Sequence, residues 1–397
     1  MLVDLVKKTA LAATISIGFG SAAFAQSGDP IVFGGVLPLT GWGADAGEYN
    51  RRGYELWEKQ VNAAGGLLDR PVEVKIYDDA SDPTTTARLY ERLITEDEVD
   101  VLLAPWSDDM TMPATTVAEK YGKPMVTGGA TLDAIWGRGY QHVNGLLPSS
   151  YDYVGVPMRF IADMDGIKTV AILNNELTYT TGFGDAAAKN AEELGLEVVM
   201  HETYGADTTD FTALLTKARS ANPDLVVGGT GGEDAVQILR QAKENDLNPK
   251  AFYFTIAPVD PEFVRLLGDS AEYVFGTTEW EPSLTALEGV DAFIAGYTEE
   301  YGEEPVEDVA TSYGLAQVMA AAVESAGELD DAKISKALRT LEVPTVFGTY
   351  KVDPETGVQT GKKIYVMQIQ DGERHILAPE ANATATVRFP TPAWGDR

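Results

Sequence analysis

No cysteine occurs among the 397 residues, and histidine occurs only three times. The first absence excludes disulfides, a thiolate nucleophile and cysteine-bound zinc, and it leaves no residue for a lipid anchor after an export signal. His142, His201 and His375 lie far apart with no companion motif. No H-E-x-x-H pattern and no G-x-S-x-G elbow is present, so metalloprotease and serine-hydrolase chemistry lack their usual signatures. Basic residues are scarce, 30 against 61 acidic, for a formal net charge of -31. A surface that negative repels nucleic-acid phosphates and anionic lipid, which excludes both as main partners.

Hydrophobic residues make up 44% and charged residues 23%, a globular balance, and the length suits two domains. The first 25 residues stand apart. Lys7 and Lys8 precede "TALAATISIGFGSAAFA", which ends in the small-x-small pattern Ala23-Phe24-Ala25. This predicts a cleaved secretory signal peptide, too short and too weakly apolar for a lasting membrane anchor. With no lipidation cysteine behind it, a free periplasmic protein is expected.

The remaining text alternates short β-rich runs with helical segments. "IVFGGVL" is followed by "EYNRRGYELWEKQVNAAGG", with Tyr54, Trp57 and Val61 at helical spacing and Gly65-Gly66 as its stop. "VEVKIYD", a helix from about Thr84, "VDVLLAP", a helix through "TTVAEKYG" and "KPMVTGG" continue the pattern. It restarts after about residue 148 with "KTVAILNN" and runs to "PEFVRLLG". Strands alternating with helices of ten to fifteen residues predict βαβ units, and two such runs predict two doubly wound α/β lobes with parallel sheets. A mostly helical stretch from about 287 to 338, a late β-hairpin region and an extended tail over 381–397 complete the chain.

Ligands of open α/β sheets bind beyond the carboxyl ends of the strands. The loops there include "LPLTGWGADAG", "DDASDP", "APWSDDMTMP", "TGGATLDAIW" and "GGTGGED", rich in small polar residues that can cradle a polar solute. Asp78, Asp79 and Asp82 lack the spacing of a calcium loop, and Asp82 before Pro83 reads as a helix N-cap. "GGTGGED" fails as a dinucleotide loop because Asp234 stands where the third glycine belongs. No metal site or cofactor is expected. Trp42 and Trp106 sit in loops among glycines and acids, where an aromatic ring can stack on a ligand as well as pack.

The opening stretch "LPLTGWGADAGEYNRRGYELWEKQVNAAGGLLDRPVEVKIYDDASDP", with "PATTVAEKYGKPMVTGGAT", "WGRGYQHV", "AVQILRQAKENDL" and "GDSAEYVFGT" following in order, resembles the periplasmic Leu/Ile/Val-binding proteins, solute receptors of ABC importers. The resemblance runs to about residue 375, and the family's paired cysteines fall at Ser81 and Ser107. It implies a type I periplasmic binding fold whose lobes close on a solute about three crossovers, near 145–149, 277–281 and 345–349. Lobe 1 would comprise 26–147 plus 280–346, and lobe 2 148–279 plus 347–380.

By the same resemblance Ser107 or Asp108 holds a ligand carboxylate, Gly129 and Thr131 hold an ammonium, and Tyr179 closes over the ligand. A second tyrosine position is Thr230, and the glutamate that pairs with the ammonium falls near Ile256, beside Thr255 and Ala257; none of these is charged. Asp108, Glu176 or Glu233 is a possible replacement. The expectation is a monomeric solute-binding protein, not an enzyme, that takes an amino acid or a related solute to an ABC permease. An aromatic or other carboxylate, an amide or an amine is the alternative ligand; an exported enzyme or a sensory receptor on the same scaffold is the alternative role.

Overall fold

A computed structural model describes residues 28–282, 284 and 289–397. The signal peptide read into residues 1–25 lies outside the described residues. The chain builds two sheets, each with its own apolar core. In the first, Ile31–Leu37 runs between Val72–Asp78 and Val101–Leu102, all parallel. A second parallel pair, Met125–Thr127 with Val143–Gly145, is joined to this layer by the bridge between Trp106 and Gly129. Phe33 on the central strand meets Trp57 of the helix Ala44–Ala63, ring centroids 4.9 Å apart. The long helix Glu307–Ala326 packs on that helix and is buried nearly all round, so its apolar text carries no single stripe.

The second sheet has seven strands. Its order is Glu373–Ala378, Tyr365–Gln370, Phe275–Thr278, Ala251–Phe254, Leu225–Gly229, Thr169–Asn175, Glu197–Tyr204. The last five are parallel; the other two are a hairpin added antiparallel at one edge. Helices cover both faces, which is why Leu225–Gly229 and Ala251–Phe254 are wholly buried and read as continuous apolar runs. Burying each Phe or Leu side chain there contributes roughly 1.5–3 kcal/mol.

Among the described residues the chain leaves one core for the other near 148–149, near 279 and before 365, and Leu284, beyond the second of these points, still packs in the second core. Leu147 belongs to the first core and Tyr153 to the second half, so the first passage is at 148–149. Thr278 ends a strand of the second sheet and Trp280 is in the first core, which puts Glu279 on the second passage itself. The third passage lies later than the expected 345–349. Phe347, Tyr350 and Val352 are all in the first core, Tyr350 donates to the Leu338 carbonyl at 2.8 Å, and Gln359 donates to the Leu146 carbonyl at 3.0 Å. The chain enters the second sheet only at Tyr365. Two aromatic side chains hold the short hairpin Val343–Thr345/Gly348–Tyr350 against the helices it follows.

The tail over 381–397 is extended but packed. Gln368 and Gln370 donate to the carbonyls of Arg388 and Thr386, and Trp394 lies 5.8 Å from Phe252. No helix among the described residues is long and apolar enough to cross a membrane.

Candidate functional site

The strand-to-helix loops of the two halves face each other, and local hydrogen bonds fix each loop. Asp78, at the end of its strand, accepts from the N–H groups of Leu39, Thr40 and Ala80 and from the Thr40 hydroxyl. Asp79 is buried and accepts from Ser81 N–H and the Thr86 hydroxyl. Asp82 caps the next helix through a 2.7 Å bond from Thr85 N–H. The three acids are loop anchors, and they hold the segment that carries Trp42.

Trp42 is 59% exposed at the rim, its ring 5.6 Å from that of Trp106. Trp106 turns its indole N–H to Asp308, 3.0 Å away, and Asn50 adds a longer bond to the same oxygen. Burial raises Asp308 to about 6, against these two donors. Ser107 follows with φ +73°, a left-handed turn into the helix Asp108–Tyr121. Its hydroxyl is buried and has no hydrogen-bond partner among the described residues.

Asp108 sits deeper. One carboxylate oxygen accepts from Thr131 N–H and Leu132 N–H, 2.9 Å each. Burial drives this carboxyl up to about 7, with repulsion from Asp109 and Asp133 added and the two N–H bonds opposing. Asp108 therefore clamps the neighbouring loop, the loop that holds Gly129 and Thr131. A Cβ on Gly129 would stand 2.8 Å from Trp106 Cδ1 and 3.1 Å from Ser107 N, so only glycine lets the two loops approach this closely.

From the other half, Thr178 donates to Asp109 at 2.5 Å, a direct bond between the halves. Leu132 reaches to the backbone of Gly182 close by. Tyr179, raised to about 12 by burial and by Asp234 and Asp109, places its hydroxyl beside Gly231. Thr230 is fully buried and its hydroxyl has no partner among the described residues. Ile256 is half-buried on the next loop, and Thr255 beside it accepts from the Tyr153 hydroxyl through its carbonyl at 3.4 Å. The outer mouth is a cavity of about 400 Å³ lined by Trp42, Pro83, Asp109, Met110, Leu177 and Thr178.

The structure thus brings Trp42, Trp106, Ser107, Asp108, Gly129 and Thr131 together on one wall, with Tyr179, Thr230 and Ile256 on loops of the other. Glu176 and Glu233 are exposed; Glu176 also lines the outer mouth, and its carboxylate accepts from Ala206 N–H.

Residues the sequence reading did not single out form the back of the cleft. Glu279 on the second passage is buried, and Glu307 at the start of its helix and Lys362 of the third passage are half-buried near it. Burial raises both carboxyls and lowers the ammonium; each carboxyl raises the ammonium in turn. Lys362 donates to the carbonyls of Glu279 and Phe347, and its Nζ lies 3.2 Å from the Phe347 ring centre. An acid inside "FGTTEWEP", between a strand and a core tryptophan, was the available signal.

Among the described residues the three histidines are committed to separate partners. His142 pairs with Ser335, His201 with Asn174 and His375 with Thr384. Asp234 accepts from Asn175 and Tyr204, which leaves the "GGTGGED" turn a structural joint. Among the described residues no three acids or histidines come close enough to hold a metal ion.

Comparison with known proteins gives a consistent answer. The periplasmic binding protein family model matches residues 30–374. A leucine-, isoleucine-, valine-, threonine- and alanine-binding protein of Pseudomonas aeruginosa is 31% identical over 332 residues, 82% of this chain and 87% of its own. The crystal structure of a leucine-binding protein from Thermotoga maritima superposes with a TM-score of 0.77 at 24% identity, covering 88% of this chain and 98% of that one. A solute-binding protein of an ABC transporter from R. palustris, in complex with benzoate, gives 0.74 at 19% identity, with 92% and 97% covered. With its two α/β halves, three passages and facing loops, the chain belongs to the periplasmic binding protein family of solute-binding proteins.

Proposed function

We propose that this chain is exported to the periplasm, captures a small organic solute between its two halves and presents the closed form to an ABC permease in the inner membrane. One observation carries the reading: buried hydroxyls from opposite walls, Ser107 and Thr230, have no partner among the described residues. Orphaned polar groups of this kind cost roughly 1–3 kcal/mol each, a cost that a bound solute offsets. Among the described residues the halves meet through the passages and through cross-cleft contacts such as Asp109–Thr178, so closure needs no change within either core. The mechanism is capture and release of an unchanged solute by a monomer with no cofactor, rather than catalysis.

An amino acid is the first ligand class, supported by the names of the relatives. An aromatic carboxylate is the second, supported by Trp42 and Trp106 at the mouth and by the benzoate-bound relative. The test is a thermal-shift screen of the mature protein against branched-chain amino acids, aromatic acids, amides and amines, with scattering to detect compaction. A solute at a hundred times its Kd raises stability by about 2.7 kcal/mol. A screen with no hit, or release of a chemically altered product, overturns the reading.

A further inference from the structure

The back wall of the cleft carries a charge imbalance. Two carboxyl groups, Glu279, which is buried, and Glu307, which is half-buried, stand near a single cation, Lys362. Lys362 does not neutralise them directly. Its hydrogen bonds go to main-chain carbonyls, and it makes no ion pair within 4 Å with either carboxylate. The Glu307 carboxyl lies near the main-chain N–H of Glu279 and each carboxyl repels the other's charge. Glu279 Oε1 is buried and has no hydrogen-bond partner among the described residues. A carboxylate in that condition is missing a donor, and a buried unpaired charge costs several kcal/mol.

A chain of contacts places this orphan at the cleft. Tyr153, whose hydroxyl donates to the Thr255 carbonyl on the second wall, feels both Glu279 and Glu307. Asp308, next to Glu307, holds the Trp106 indole of the first wall. Glu279 therefore lies between the halves, with Glu307 and Asp308 toward Trp106 on one side and Tyr153 toward Thr255 on the other. The front is closed by Asp109–Thr178 and Tyr179. Ser107 and Thr230, with their unpartnered hydroxyls, stand on the two side walls.

The other acids are committed elsewhere. Asp108 holds the loop at Thr131 and Leu132, Asp308 holds Trp106 and Asn50, and Glu281 lies 3.3 Å from Arg374. The loop position near Ile256 is apolar. Among the described residues, Glu279 combines burial, a place on the passage between the halves and an oxygen with neither a hydrogen bond nor an ion pair, whereas the equally buried Glu281 Oε1 faces Arg374.

We propose that the captured solute bears a protonated nitrogen, and that the Glu279 carboxylate on the hinge passage binds it, with Glu307 behind as a second negative charge. This rests on the solute-capture reading and narrows its ligand class to ammonium-bearing solutes, amino acids or amines, over plain carboxylates. A charge-assisted bond from a donor to Glu279 is the strong kind of hydrogen bond, about twice a neutral one. It also ties closure to cargo, because Glu279 joins the strand Phe275–Thr278 to Trp280 of the other core.

Binding of a cation here displaces the proton that burial and the Glu307 charge retain on the pair. The groups facing Glu279 are Glu307, Lys362 and Tyr153, and those facing Glu307 include Asp308 and Glu281. Affinity for a cation therefore rises with pH through the neutral range, and binding releases a proton.

The experiment uses matched probes: leucine, isoamylamine and 4-methylpentanoate, and phenylalanine, phenethylamine and benzoate. Calorimetry in two buffers of different ionisation enthalpy, at pH 6.5 and 8.5, reads affinity and proton release. The expected result is binding of at least one nitrogen-bearing probe, proton release at pH 6.5, and a loss of about tenfold or more in Glu279→Gln. Glu279→Asp should recover part of that loss. Tight binding of 4-methylpentanoate or benzoate with no nitrogen-bearing probe bound overturns this proposal and leaves solute capture standing. Equal affinity in a folded Glu279→Gln also overturns it; if that variant fails to fold, wild-type binding of a nitrogen-bearing probe with no proton release at pH 6.5 overturns it. Absence of binding by every probe removes the capture reading along with it.

Discussion

Asp108→Asn tests the clamp between the two ligand-side loops of the first half. The carboxyl is buried and raised from 3.8 to about 7, by burial first and then by Asp109 and Asp133. A folded-state value above the unfolded one means that the native protein holds the proton more tightly. The associated stability is fully present below the unfolded value, and it is lost as pH rises through the folded value. A shift of about 3 units corresponds to about 4 kcal/mol over the whole window, of which about 3 kcal/mol falls between pH 5 and pH 8. Asparagine keeps an oxygen for the N–H groups of Thr131 and Leu132 but cannot titrate, so its own penalty is nearly constant with pH. Urea denaturation of both proteins without ligand should show wild type losing about 3 kcal/mol more than the variant between pH 5 and pH 8. The other acids titrate in both proteins and cancel in the difference. A difference constant to about 0.5 kcal/mol, or one that grows in favour of wild type at high pH, would refute the argument. The N–H bonds would then be outweighing burial and keeping Asp108 ionised.

Trp106→Phe removes the indole donor to buried Asp308, at a cost of about 2 kcal/mol at pH 8 that shrinks at pH 5, where Asp308, raised to about 6, is neutral; denaturation at the two pH values reads the contrast. Gly129→Ala forces Trp106 and Ser107 away from the loop, so solute affinity should fall more than tenfold while thermal stability drops by only about 1–3 kcal/mol. Thr178→Val deletes the bond to Asp109 across the mouth; scattering should report a more expanded unliganded protein, and solute affinity should fall about fivefold, the worth of roughly 1 kcal/mol.

The alternation of strands and helices was legible because both sheets are buried on two faces and their strands are short apolar runs bounded by turn residues. "VEVKIYD" is the strand Val72–Asp78, Gly65 and Gly66 stop the first helix at φ +117° and +83°, and Asp82 caps the second through Thr85. Each of these is decided by neighbours in sequence. What was not legible depends on partners distant in sequence. "GTYKVDPETG" announces a hairpin, yet nothing local says which of two cores will receive Phe347 and Tyr350, and the third passage was therefore placed too early. Asp108 reads locally as an acid at a helix start facing a ligand; its actual partners are two N–H groups on the loop after the next strand. The back wall is the extreme case. Glu279, Glu307 and Lys362 come from three separate segments, and each alone looks like a solvated charge on a connecting stretch. Only the meeting of the passages buries them together, so the residues with the most unbalanced electrostatics are those with the weakest local signature. A search for such sites in two-lobed proteins should begin where the chain changes cores, since here Glu279 and Lys362 of two passages meet Glu307 at the start of a helix.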